Sequence, residues 1–326
     1  MKKLIYIIGV LLLFMNKLQG ADPQFTQFYS VPLYLGPSFA GATQQHRISG
    51  TYRKQWVSIP GAFNTYALAY DQAFSKYNSG LGIILLQDAA GSGQLGVTYT
   101  SILYSYDITL FNTFHVRPGL SFIYSRYGIN FSKLKFSDQM GPYANNANTK
   151  VLPPQDEVRG NIDGSASSLF YTDKIWVGIT VDHLLKPNLS FYGDRALTPL
   201  KVTLYGGAKI ISKGRLLKPV DETVSLAYLL KVQGDYRQLD LGVYWFKVPL
   251  VLGVWYRGIP IYNKNRGDAV AFLVGVKKFD ISVAYSYDFT ISTLINSTQG
   301  SHEISLIYEF HTERRKKYHA IPCPEF

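Results

Sequence analysis

The residues best suited to chemistry are six histidines (His46, His115, His183, His302, His311, His319) and one cysteine (Cys323), and their spacing argues against catalysis. The histidines are scattered singly, with no His-Glu-x-x-His pair and no metal-ligand spacing. One Cys excludes an intrachain disulfide and any Cys-cluster metal site. No Walker loop, Rossmann glycine pattern or Gly-x-Ser-x-Gly elbow occurs, and Gly91-Ser92-Gly93 reads as a turn. A barrel lipase would need a Ser-His pair on its lipid face. His302 with Ser305, or His183 with Ser190, supply the residue types and nothing more. The chain is therefore read as a non-enzyme with no cofactor and no metal.

A second set is defined by position rather than type. Asp182, Lys209, Lys231, Asp240, Arg257, Asp288 and Glu303 occupy the polar phase of alternating runs whose other phase is Leu, Val, Ile and Tyr. Such runs must be strands, because side chains alternate between two faces with period two. From Asp280 to Asp288, Ile281, Val283, Tyr285 and Tyr287 alternate with Ser282, Ala284 and Ser286. Ile304, Leu306, Tyr308 and Phe310 repeat the pattern against Glu303, Ser305 and Glu309.

About fourteen runs of this kind extend from 46–54 to 302–310, the sixth at 165–172. Most have about the 9 to 11 residues that a tilted membrane strand needs, longer than globular strands. The long connections (132–164, 184–200, 258–267, 289–301) all follow odd-numbered runs. Outer-membrane barrels sort their loops this way, with long loops outside and short turns in the periplasm. Aromatics number 25 Tyr, 19 Phe and 4 Trp, a content that suits a long boundary between water and hydrocarbon.

Met1-Lys2-Lys3 followed by an apolar run from Leu4 to Met15 reads as a secretory signal peptide, residues 1–20, too short to span a membrane. Its removal takes Lys2, Lys3 and Lys17 from 33 basic residues against 22 acidic ones, so the net charge falls from +11 to 30 minus 22, or +8. No later stretch of about 18 apolar residues occurs, so the membrane option is a barrel. The fold class is all-β: a transmembrane antiparallel β-barrel of about 14 strands in the outer membrane of a Gram-negative cell. Its lipid face meets outer-membrane lipid and lipopolysaccharide.

Charges on the other face would point into a lumen, where they pair across strands or form an ion-selecting constriction. Around Thr100 and Ser101 the apolar phase slips, which predicts a β-bulge. Residues 21–45, with Pro23, Pro32 and Pro37, are expected at or in the barrel mouth, and the inward Trp176, Tyr244 and Trp255 suggest an occupied lumen. The barrel spans 46–310, with one notably long external loop at 132–164 in which Asn145 and Asp156 are candidate partner contacts. A basic tail, 311–326, carries Arg314, Arg315, Lys316 and Lys317; without an aromatic stacking platform and on an exported chain, it fits an anionic partner and not nucleic acid. An exported chain enters from the periplasm, which puts both termini on that side for an even strand number.

Several segments in order resemble the PorP/SprF family of outer-membrane proteins of the Bacteroidota type IX secretion system. They are Asp22-Pro23-Gln24-Phe25-Thr26-Gln27-Phe28-Tyr29, Tyr52-Arg53-Lys54-Gln55-Trp56, Val177 to Leu184, Gly253-Val254-Trp255-Tyr256-Arg257, Tyr285 to Ser292, and Gly300 to Leu306. The resemblance implies a barrel of the secretion and gliding motility machinery. Its members support assembly of periplasmic ring and lipoprotein components of the export apparatus, or the surface attachment of a secreted adhesin-like cargo; no catalytic residue is implied. An outer-membrane channel or transporter for small or lipidic solutes is the alternative.

Overall fold

The computed structural model describes residues 22–310 apart from 44, 92, 94, 112, 141–148, 155, 214–221, 260–266 and 294. The strands are β1 (His46–Gln55), β2 (Phe63–Phe74), β3 (Ser79–Ala90), β4 (Leu95–Tyr106, resumed after Asp107 as Ile108–Leu110), β5 (Phe114–Gly128), β6 (Val158–Tyr171) and β7 (Ile175–Asp182). They continue as β8 (Lys201–Lys213), β9 (Glu222–Gln233), β10 (Tyr236–Lys247), β11 (Leu250–Arg257), β12 (Ala269–Lys278), β13 (Ile281–Thr290) and β14 (Ser301–Phe310). Each pairs antiparallel with its sequence neighbours. The first and last also pair, from His46 opposite Phe310 to Gln55 opposite Ser301, so the sheet closes on itself and leaves no edge.

Closure turns the period-two pattern into an outside and an inside. In β7, Ile175, Val177 and Ile179 are exposed while Trp176 and Thr180 are buried. In β14, Ile304, Leu306 and Tyr308 are exposed, whereas Glu303 and Ser305 are buried. An exposed belt of Leu, Ile, Val and Tyr running around the barrel is stable only in hydrocarbon, which places this fold in a membrane. The described residues of connections 129–157, 183–200, 258–268 and 291–300 lie at one rim, the cell-surface rim of an outer-membrane barrel. Turns 75–78, 111–113, 172–174, 248–249 and 279–280 lie at the other.

Three expectations from sequence need correction. The long loop ends at 157 rather than 164, because Val158–Gly164 pairs with Phe122–Gly128 of β5. There the inward phase is Arg159, Asn161 and Asp163 and the outward phase is Val158, Gly160, Ile162 and Gly164, so polarity still alternates, with two glycines thinning the apolar face. Similarly, 289–301 shrinks to 291–300, since Phe289, Thr290 and Ser301 extend the strands. No bulge occurs at Thr100 and Ser101, whose pairing to Leu85 and Ile84 is in continuous register. Val97 and Tyr99 point inward and line a lumenal cavity, so the apolar phase changes faces while the strand stays regular. The register does shift in β8 opposite Val224 and Ser225.

Candidate functional site

The lumen is filled by the chain's own N-terminal segment. Phe25, Phe28, Tyr29, Val31, Leu33, Leu35, Phe39 and Ala40 are all buried inside the barrel. Two short helical turns, Pro32–Leu35 and Pro37–Phe39, compact the segment, each with Pro in its first turn, where a missing N–H costs nothing. Aromatic contacts key it to the wall: Phe28 meets Trp255 edge to face at 5.1 Å, and Tyr29 meets Tyr244 at 5.0 Å. Trp255 and Tyr244 lie over Gly242 and Gly253 of the adjacent strands, where a Cβ would collide with the rings.

Polar groups fix the segment at three levels. At the short-turn end, Asp71 accepts the Gly41 N–H at 2.8 Å while paired with Arg47, and Arg117 donates to the Ala40 carbonyl at 2.5 Å. Ala40 passes so close to Gly80 that a Cβ there would strike its carbonyl.

Nearer the surface rim is a buried charge cluster. Arg53 of β1 bridges Asp288 of β13 at 2.8 Å and Glu303 of β14 at 3.0 Å, and Arg257 of β11 reaches Asp288 at 2.6 Å. The segment completes this cluster. Glu303 accepts the N–H groups of Thr26 at 2.7 Å and Gln27 at 2.9 Å, and the Thr26 hydroxyl donates to Asp288 and contacts Arg53. Gln27 also donates to Ser286 and accepts from Ser305. Charges this deep are tolerable only when paired and hydrogen-bonded, so cluster and segment depend on each other.

The third level sits at the surface rim. Lys201 bridges Asp22 at 2.9 Å and Asp182 at 3.2 Å. His183 bridges Asp22 from Nε2 at 2.9 Å and Asp163 from Nδ1 at 2.7 Å. Burial opposes charge on His183, but hydrogen bonds to Asp163 and Asp22 outweigh it, and its pKa is pushed up to about 9, so both ring nitrogens donate. Burial likewise opposes charge on Asp22, yet Lys201 and His183 hold its carboxyl well below the usual carboxylate range.

The segment therefore spans the lumen. Asp22 lies where β7 ends and β8 begins, at the long-loop rim, and Gly41 lies beside Gln72 and Gly80 at the short-turn rim. The expectation that the N terminus stays on the periplasmic side does not hold for residue 22, because the chain crosses the barrel before β1 starts.

Among the charges singled out from sequence, Arg257, Asp288 and Glu303 share the buried cluster, and Asp182 belongs to the rim cluster. Asp240 accepts from Gln238 at 2.8 Å and from the Gly258 N–H at 2.9 Å. Lys231 faces a lumenal cavity. Lys209 lies opposite Ser225 toward the short-turn rim, away from both clusters. Asp156 is exposed in the 129–157 connection. Asn145, Arg314, Arg315, Lys316 and Lys317 lie outside the described residues, as do residues 1–20 and 311–326. His302 and Ser305 point to opposite sides of β14, the former bonded to Tyr285 and the latter to Gln27, so they do not form a catalytic pair. His183 is held by its two carboxylates, while the Ser190 hydroxyl accepts from the Tyr192 N–H.

Arg53, Asp22, Thr26, Gln27, Asp163 and Lys201 were not singled out as lumenal residues from sequence. A closed fourteen-stranded barrel with an apolar outer belt is an outer-membrane β-barrel, and the outer membrane is where this protein resides. Residues 18–308 match the family described as type IX secretion system membrane protein PorP/SprF, and the chain belongs to that family. No curated protein matches the chain. Similar solved structures include the CymD monoaromatic hydrocarbon channel, at 12% identity over 91% of this chain and 96% of that one with a TM-score of 0.49. The P. putida toluene transporter TodX shows 10% identity over 85% and 92% with a TM-score of 0.44. The Acinetobacter baumannii outer membrane protein Omp33 shows 8% identity over 83% and 100% with a TM-score of 0.44.

Proposed function

We propose that this barrel serves the type IX machinery as a filled, non-conducting anchor that holds a secreted adhesin-like protein at the cell surface. The observation that supports this is the lumen occupied by residues 22–43 and joined to the wall at three depths. A cargo protein has no route through such a barrel, so the surface offered to it is the long-loop rim, where recognition loops sit on a rigid scaffold. In this reading residues 1–20 are removed on export, and the basic tail 311–326 meets acidic surfaces of the export apparatus in the periplasm. The apparatus and the gliding machinery are then partners on one side and the cargo on the other.

Deletion of residues 145–156 tests this. The expected result is a barrel that inserts normally, judged by heat-modifiable migration, with the surface cargo released into the medium. Unchanged cargo display on cells carrying the deletion would overturn the anchoring role.

A further inference from the structure

Most charges inside the barrel have partners that account for them; Lys231 is different. It lies on the inward phase of β9, between Leu229 and Gln233, and forms no hydrogen bond or ion pair with any described residue. Its cross-strand neighbour is Gln238. The nearby Asp240 is committed to Gln238 and the Gly258 N–H, and Asp22 to Lys201 and His183. Asp240 attracts the ammonium from the neighbouring strand without forming an ion pair with it, while Arg257, Lys201 and Arg53 repel it. An ammonium inside a barrel with no anion in contact leaves room for one more negative charge.

The ammonium faces a cavity of about 40 Å³ between the N-terminal segment and the inner wall of β8 to β10. That is room for about three waters, by the rule that each needs at least about 10 to 15 Å³. Phe25, Phe28, Val31 and Leu35 give the lining its apolar part, and Gln24, Gln233 and the paired Lys201 give it a polar one. The cavity lies beside Asp22 and Tyr236, at the surface rim.

We propose that this cavity binds a small monocarboxylate, with its carboxylate on Lys231 and its short alkyl portion against Phe25, Phe28 and Leu229. One cation suits one negative charge, and the Arg forks that usually receive phosphate are turned toward Asp288. The apolar wall selects a ligand with a hydrocarbon end over a bare halide. The size limits it to about two to four carbons, from the three-water volume.

The test uses the full chain, refolded in neutral detergent, with propionate as the probe. Saturation transfer from protein to the propionate protons and the shift in thermal unfolding midpoint are read against propionamide, which has the same shape without the charge, and against matched sodium chloride. Propionate should show saturable transfer and raise the midpoint, and the two controls should not. Lys231→Met should weaken propionate binding roughly tenfold or more, the loss of a charge-assisted contact. Lys277→Met, a change at the Glu309 pair near the short-turn rim and at the other end of the barrel from the cavity, should leave it unchanged. Equal responses to propionate and propionamide overturn the proposal, as does equal saturable stabilisation by chloride or undiminished binding by Lys231→Met. The wild-type comparison decides the matter even if Lys231→Met fails to fold.

Discussion

Glu303 accepts the main-chain N–H of Thr26 at 2.7 Å, although 277 residues of chain separate them. That carboxylate also pairs with Arg53 at 3.0 Å, so one buried side chain joins the barrel's last strand, its first strand and the segment that fills it. Closure of the barrel and filling of its lumen are thus coupled through a single group.

Removing that group should therefore loosen both. Glu303→Ala leaves Arg53 beside Asp288 alone and two segment N–H groups without their acceptor, a loss on the order of 3–5 kcal/mol for breaking a buried pair. Urea unfolding of the refolded barrel should show the drop, and limited proteolysis should cut within residues 22–30 of the variant but spare the wild type.

His183 makes the surface-rim anchor pH-dependent. Its pKa of about 9 in the folded protein exceeds its ordinary 6.5, so its contribution is complete below about pH 6.5 and is lost as pH rises through about 9. Asp22 has the opposite sign: its contribution is present above its ordinary 3.8 and is lost as pH falls toward its depressed value. Protease susceptibility near residue 22 should rise between pH 7 and 10 in the wild type. His183→Ala should be susceptible throughout that range, and an unchanged alkaline limb in that variant would contradict the assignment.

Packing between segment and wall is open to a test that involves no charge. Gly242→Ala places a methyl where the Trp255 ring now lies, displacing the ring from Phe28. Overpacking of this kind costs about 1–3 kcal/mol. Near-ultraviolet circular dichroism should lose aromatic signal while the far-ultraviolet strand signal is kept.

Much of the barrel was legible because one physical rule, alternation between lipid and lumen, is written into every strand. It was harder to read in two places. In β4 the inward Val97 and Tyr99 are apolar because they face the cavity beside Pro23 and Tyr34, so hydropathy no longer marks the outside. In β6 the alternation holds, with Val158 and Ile162 outward against Arg159, Asn161 and Asp163 inward, but Gly160 and Gly164 dilute the apolar face. The site was half legible. Asp288, Glu303 and Arg257 stand out as charges in polar phase, but their convergence on Thr26 and Gln27 depends on pairings across hundreds of residues. The segments carrying the family resemblance hold Asp22, Thr26, Gln27, Arg53, Asp182, His183, Arg257, Asp288 and Glu303. Apart from Asp182, which holds Lys201, these residues join segment to wall together with Asp71, Arg117 and Lys201, a role their separate positions in sequence do not reveal.

Topology can be read from the only cysteine in the chain. Fourteen strands with β1 rising from the short-turn rim bring Phe310 back to that rim, so the tail that follows should be periplasmic. A membrane-impermeant maleimide should leave Cys323 unlabelled on intact cells and label it after the outer membrane is permeabilised.

The central claim is that residues 22–43 keep the barrel shut. Planar-bilayer recording of the purified protein tests it most directly: the wild type should pass no stable single-channel current, and a variant lacking residues 22–43 that still folds should open a conducting pore. Large, stable currents from the wild type would contradict the account.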